Sequence, residues 1–239
     1  MAVKPLCIDL YCGLGGWTHG FLAEGWDVIG FDIERHEYDG EKYPAQLVLQ
    51  DVRTIGGEQF RNADMIVASS PCQEFSYRAM PWKRAKALPP PFFGMELFAQ
   101  AARIQAEAIA AAGRHIPMIQ ENVRGAQPWV GKAVAHFGSF YLWGDVPAIL
   151  PQAGPRKNGG NGSWFYGNAA TGGNPARGIT VGEAGTKAAA VSTLPVTATR
   201  ALSRKAASAK IAKIPEPLAR HIARVYCPIL AKGEAWINE

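Results

Sequence analysis

A cysteine held behind a proline, and a glutamate paired with an asparagine, are the residues in this sequence best equipped for covalent chemistry. The cysteine is Cys72, in the run Ser70-Pro71-Cys72-Gln73-Glu74-Phe75-Ser76. Pro71 fixes the backbone immediately before the thiol. A free thiol titrates near about 8.5, so only a few per cent is thiolate at neutral pH unless positive charge assists it. Arg78, Lys83, Arg84 and Lys86 follow within fourteen residues. The glutamate is Glu121, which opens Glu121-Asn122-Val123. A carboxyl on an apolar wall has its pKa raised and can hold a proton near neutrality. Taken singly, a strand-end thiol and a capping glutamate would be the plainer readings. Together they supply a nucleophile and an acid, two groups that must be tuned differently to work at one pH.

A second constellation suits a ligand with ribose and base. Asp9-Leu10-Tyr11-Cys12-Gly13-Leu14-Gly15-Gly16 follows an apolar run and precedes a helical one. Glycines there let the backbone approach a ligand and leave N–H groups free to bind it. Thr18 stands where the dinucleotide fingerprint G-x-G-x-x-G needs its last glycine, which weakens a nicotinamide reading. Asp32 is placed to accept bonds from ribose hydroxyls, and Asp51 from an amino group.

The elements that must position these residues alternate in type. Leu6 to Leu10, Trp26 to Phe31, Leu47 to Leu49, Met65 to Ala68 and Met118 to Gln120 read as strands. Trp17 to Glu24 reads as a helix closed by Gly25. Met95 to Ala112 is a longer helix, with Leu97, Ala101, Ile104, Ala108 and Ile109 on one face and Gly113 as its stop. Alternation of this kind predicts an α/β fold with a parallel sheet. The glycine loop, Asp32, Asp51, Cys72 and Glu121 all fall at carboxyl ends of strands, where open α/β sheets bind ligands.

Beyond about residue 150 the pattern changes to Gly, Ala, Thr and Asn with loop signals, and helical character returns between Ser208 and Tyr226. Residues 1–150 hold 13 Lys/Arg against 16 Asp/Glu, and residues 151–239 hold 12 against 4. A basic last third beside a near-neutral core suggests a polyanion held against a catalytic domain. With 48% apolar residues the chain is expected to be globular, and no apolar run approaches the ~20 residues of a membrane span. Cys7, Cys12, Cys72 and Cys227 show neither zinc nor disulfide spacing. Cys7, Cys227 and, for the most part, Cys12 read as small buried apolar residues. No metal, no leader and a cytoplasmic location are the expectation.

The glycine loop, Pro71-Cys72-Gln73-Glu74-Phe75-Ser76 and Glu121-Asn122-Val123 resemble, in order and spacing, the motifs of the cytosine-C5 DNA methyltransferases. Gly94-Met95-Glu96-Leu97-Phe98 resembles the start of that family's intervening helix. The resemblance covers roughly residues 5–130. It implies a Rossmann-like S-adenosylmethionine-dependent methyltransferase sheet with a small basic, loop-rich recognition lobe. The implied division is a catalytic domain over 1–150, a target-recognition region over 151–205, and a C-terminal helix within 206–239 that packs back. S-adenosyl-L-methionine is the implied cofactor, held by Asp9, Tyr11, Gly13, Gly15, Gly16, Trp17, Asp32, Ile33, Asp51, Val52 and Leu97. The implied catalytic set is Cys72, Glu121, Asn122 and Pro71. Cys72 would add to C6 of a cytosine flipped out of double-stranded DNA, with Gln73, Ser76, Arg78, Lys83, Arg84, Lys86 and Arg156 contacting the nucleic acid.

The chain departs from the family in lacking a Gln-x-Arg-x-Arg segment, for which Gln152 to Arg156 is the nearest candidate, and in lacking the late Gly-Asn-Ser-Val motif. Its compact size is that of phage- or prophage-encoded members, acting as monomers in a bacterial cytoplasm. Two alternatives stay open: an RNA cytosine-C5 methyltransferase, and an inactive DNA-binding relative.

Overall fold

Five of the strands pair in parallel within a seven-stranded sheet. They are β1 (Leu6–Leu10), β2 (Asp27–Asp32), β5 (Gln46–Leu49), β6 (Met65–Ser69) and β7 (Met118–Asn122). The computed structural model describes residues 4–76, 90–151, 206 and 209–227. The chain divides into two units, Met1–Pro151 with Ala209–Glu239 and Gln152–Ser208; the elements below belong to the first. Among the described residues the sheet order is β5-β2-β1-β6-β7, followed by β9 (Phe140–Gly144) and β8 (Ala135–Phe137). The order reverses between β1 and β6. At such a switch point open α/β sheets bind ligands beyond the carboxyl ends of the strands.

Side-chain alternation along the strands builds two cores. Cys7 of β1 and Val67 of β6 point to the face covered by α1 (Gly16–Ala23) and α4 (Glu216–Val225), where Trp17, Phe21, Leu218 and Ile222 pack. Ile8, Leu10, Ile66 and Ala68 point to the other face, under α2 (Phe92–Ala112) with its Ala101, Ile104 and Ala108. Helices on both faces explain why the central strands are apolar almost throughout. Gly20 of α1 lets α4 come close: a Cβ there would lie 2.4 Å from the Ala219 Cβ. Glu24 at the end of α1 accepts from Arg220 at 2.6 Å and from Arg224 at 2.8 Å, which ties the two helices at their rim.

Three features differ from the sequence expectation. The sheet is not wholly parallel, because β9 pairs antiparallel with β7 and with β8. Gly138, with φ of 60°, turns this hairpin between the paired Phe137 and Phe140. Helix α2 starts at Phe92, a turn before Met95, since Glu74 Oε2 accepts the Gly94 N–H at 2.7 Å and satisfies an end that local sequence leaves uncapped. Ile109 is only half-buried, while Leu97, Ala101, Ile104 and Ala108 form the buried stripe. A small hairpin, β3 (Glu37–Tyr38) and β4 (Glu41–Lys42), leads to Tyr43 and Pro44, which pack on Gly30 and Gly15. The short α3 (Gln127–Val130) follows β7. No helix among the described residues is long and apolar enough to cross a membrane, and none of their His, Cys, Asp and Glu side chains group as metal ligands.

Candidate active site

Strands β6 and β7 carry the nucleophile and the acid to one edge. Ser69 of β6 stands opposite Glu121 of β7 in the parallel register, so Cys72, three residues past Ser69, emerges beside the glutamate. The turn after Cys72 is closed by the Phe75 N–H on the Cys72 carbonyl at 3.1 Å. Phe75 is fully buried against Ala126 and Trp143 and anchors that turn. Asn122 is fully buried too. Its Nδ2 donates to both the carbonyl and the Oγ of Ser70 at 3.0 Å, and its Oδ1 accepts the Val123 N–H at 2.8 Å. A side chain on β7 thus holds the backbone just before Pro71.

Burial sets the protonation of both groups. Glu121 is 8% exposed. Loss of water pushes its carboxyl up to about 8, and a hydrogen bond from Ser69 works in the opposite direction. Cys72 is half-buried, and desolvation first, then the nearby Glu121, pushes its thiol up to about 11. The resting pair at neutral pH is a thiol and a carboxylic acid. Such a pair can hold a proton against a ring nitrogen, whereas the thiol needs help to ionise.

The glycine loop leaves β1 one strand away. Tyr11, Gly13 and Gly15 have φ of 58°, 51° and 75°. Gly13 is open, with nothing within 4 Å of where a Cβ would stand, and its N–H donates to Asp32 Oδ2 at 2.9 Å. Asp32 also accepts from Glu34 N at 3.2 Å and faces His36 Nε2 at 3.4 Å. Burial alone would raise the Asp32 pKa, but these bonds outweigh it and hold the carboxyl below the usual range. Ile33, next to this ionised carboxylate, is apolar yet 70% exposed. A charged acceptor at a strand end, an uncovered aliphatic side chain and an open glycine turn fit the ribose and base of an adenosyl group.

Other residues expected near a cofactor are placed as supports. Tyr11 Oη donates to the Leu97 carbonyl at 2.6 Å and ties the loop to α2. Leu97 and Val52 are buried. Trp17 is 2% exposed and donates Nε1–H to Ser69 Oγ at 3.0 Å. Asp9 is enclosed beneath the loop. Thr18 donates to it at 2.6 Å and shares a 2.7 Å bond with the Tyr43 hydroxyl, while burial pushes the Asp9 carboxyl up to about 8. Gly15 and Gly16 are tight against Pro44 and Ile214, at 2.6 and 2.3 Å from where a Cβ would lie. Asp51 is turned to Arg53, with Oδ2 2.6 Å from Nη2, and Arg53 lies over the Phe93 ring at 5.5 Å.

Gln73 is exposed and Ser76 half-buried at the mouth of the turn. Arg78, Lys83, Arg84, Lys86 and Arg156, and with them nearly all of the 151–205 recognition region, lie outside the described residues. Of the cysteines, Cys7 and Cys12 are buried as expected, but Cys227 is only half-buried. Sequence reasoning missed Ser69, Tyr43, His36 and Arg53. Ser69 ends β6, one residue before the Ser70–Ser76 motif, and the other three closely follow strand ends.

Comparisons with known proteins bear on the family. The C-5 cytosine-specific DNA methylase model matches residues 6–124, from β1 through the Glu-Asn-Val segment. The type II methylase M.HgiDII of Herpetosiphon aurantiacus is 29% identical over 79 residues, 29% of this chain and 22% of that protein. The type II methyltransferase M.XorII of Xanthomonas oryzae is 29% identical over 85 residues, 30% of this chain and 20% of that one. The match therefore spans about a fifth of the length of these relatives. Among solved structures, the S. pombe Dnmt2 methyltransferase is 18% identical with a TM-score of 0.33, over 52% of this chain and 36% of that one. Through the segment that carries the glycine loop, the thiol and the acid, the chain belongs to the C-5 cytosine-specific DNA methylase family.

Proposed function

We propose that the protein methylates C5 of a cytosine flipped out of double-stranded DNA, using Cys72 as covalent nucleophile. The observation that carries this reading is the pairing across β6 and β7: a half-buried thiol beside a buried glutamate that stays protonated near neutral pH. C5 of cytosine is a weak nucleophile. Addition of the Cys72 sulfur to C6, with Glu121 placing a proton at N3, turns the ring into an enamine whose C5 is nucleophilic. The thiol proton must leave first. It passes to water, and the cationic stretch from Arg78 to Lys86 is the available help for the thiolate left behind.

S-adenosyl-L-methionine supplies the electrophilic methyl group when bound. Asp32, Ile33 and the Gly13 turn are the residues that would hold it, with Tyr11, Trp17, Val52 and Leu97 fixing the pocket from behind and Asp9 supporting the loop from beneath. Asp51 would offer an acceptor to the base while paired to Arg53. After transfer, loss of the C5 proton to water expels the Cys72 thiolate, the N3 proton returns to Glu121, and the aromatic ring is restored. Asn122 and Pro71 hold the thiol in line by fixing the Ser70–Cys72 backbone. Gln73, Ser76, the basic residues that follow and Arg156 are proposed to contact the DNA, and the net-basic 151–205 region to choose the target.

Transfer of labelled methyl to duplex DNA, with duplex and transfer RNA run beside it, tests the reading. The expected result is label in DNA as 5-methylcytosine, lost in Cys72→Ser. Label confined to RNA, or carried on an exocyclic amine, contradicts it.

A further inference from the structure

The glutamate has a neighbour that neither motif describes. Ser69 lies directly across from Glu121 in the β6–β7 register. Its Oγ is 3.0 Å from the indole Nε1 of Trp17, a ring 2% exposed in the core beneath α1. An indole N–H can only donate. Ser69 therefore accepts from Trp17, and its single hydroxyl proton is left for another acceptor; the carboxyl of Glu121, its partner in the β6–β7 register, stands beside it, and a hydrogen bond from Ser69 works against the rise that burial gives that carboxyl. The oxygen that receives this bond acts as an acceptor, so it is not the one that carries the acid proton.

We propose that Ser69 is a positioning residue of the reaction: oriented by Trp17, it donates to one oxygen of Glu121 and confines the acid proton to the other. The proton that a cytosine N3 needs is then always on the same side of the carboxyl group. The relay also joins the helix after the glycine loop to the acid, so the two halves of the site share one hydrogen-bonded chain. This inference rests on the reading of Glu121 as the acid. Glu121 acts on the Cys72 thiol, which burial first and this glutamate second hold well above the glutamate.

The test is a titration of the Glu121 carboxyl by carbon-13 NMR on the full chain, its resonance identified by loss in Glu121→Gln, together with methyl-transfer kinetics. Ser69→Ala removes a donor that favours the ionised form, so the midpoint should rise by about half to one pH unit, the size of one hydrogen bond. Ser69→Thr keeps the hydroxyl and should restore the wild-type midpoint. Trp17→Phe keeps the ring but frees the hydroxyl to rotate, so the midpoint should rise less than in Ser69→Ala. For Ser69→Ala kcat should fall about three- to tenfold with KM for DNA unchanged. A midpoint that stays put in both Ser69→Ala and Trp17→Phe overturns the relay, as does a failure of Ser69→Thr to restore it. The titration needs no substrate. A shifted midpoint in a protein that transfers no methyl group would retain the Ser69 bond and remove the function proposed for it.

Discussion

Replacing Glu121 by glutamine should make the protein more stable while stopping its chemistry. The carboxyl is held at about 8 in the folded chain, against 4.5 when solvated, because β7 buries it. Between those values the folded state binds the extra proton. The contribution of Glu121 to stability is therefore complete below about pH 4.5 and is lost as pH rises through 8. At about 1.4 kcal/mol per pH unit, the loss between roughly pH 5.5 and 8.5 comes to about 3 kcal/mol. A glutamine side chain has nearly the same shape and cannot ionise, so Glu121→Gln should escape that loss. Asp9 is pushed up in a similar way but is present in both proteins, so it cancels in the difference. Urea unfolding of the two proteins across this range is the assay. The gap between them should grow towards alkaline pH by about 3 kcal/mol, or roughly 6–12 °C in Tm for a chain of this size. Methyl transfer should drop by about two to four orders of magnitude. A gap that does not change with pH would show that Glu121 is not a buried neutral acid.

Other consequences are as direct. Alkylation of Cys72 by iodoacetamide should be slow at neutral pH and accelerate towards pH 11; it should be somewhat faster in Glu121→Gln, since the glutamate raises the thiol, and pH–rate profiles will show both effects. Asn122→Ala leaves the buried Ser70 hydroxyl and carbonyl without their shared donor, so it should destabilise the chain by about 1–3 kcal/mol and lower kcat, as denaturant melts and kinetics can report. Gly20→Ala drives a methyl into Ala219 and should lower stability by about 1–3 kcal/mol through loosened α1–α4 packing, again read by urea unfolding.

Much of this architecture can be read along the chain. The strands β1, β6 and β7 are legible because they are buried on both faces and bounded by Gly, Pro or Asp, and the helix of Leu97, Ala101, Ile104 and Ala108 because its stripe is regular. The thiol and the acid are legible because each sits in a short contiguous motif at a strand end. What escapes is whatever depends on register between distant segments. Asn122 meets Ser70, and Trp17 meets Ser69, in each case across 52 residues. Neither residue type announces a partner, and only the order of β1, β6 and β7 brings them together. The same holds for Asp9. By sequence it is a loop-edge acid facing a ligand; in the fold, period-2 alternation turns it towards α1, where Thr18 and Tyr43 enclose it. The β8–β9 hairpin escapes because three- and five-residue strands with a Gly-Ser turn carry little signal of their own.

The central claim is that the Cys72 sulfur bonds to a cytosine ring. Duplex DNA carrying 5-fluorocytosine tests it most directly, since fluorine at C5 cannot leave as the proton does and the enzyme is trapped on its substrate. Incubation with S-adenosylmethionine, followed by denaturing electrophoresis and peptide mapping, should give a stable protein–DNA adduct on the peptide that contains Cys72. An adduct through Cys12 or Cys227, or none from a protein that still methylates ordinary DNA, would contradict it.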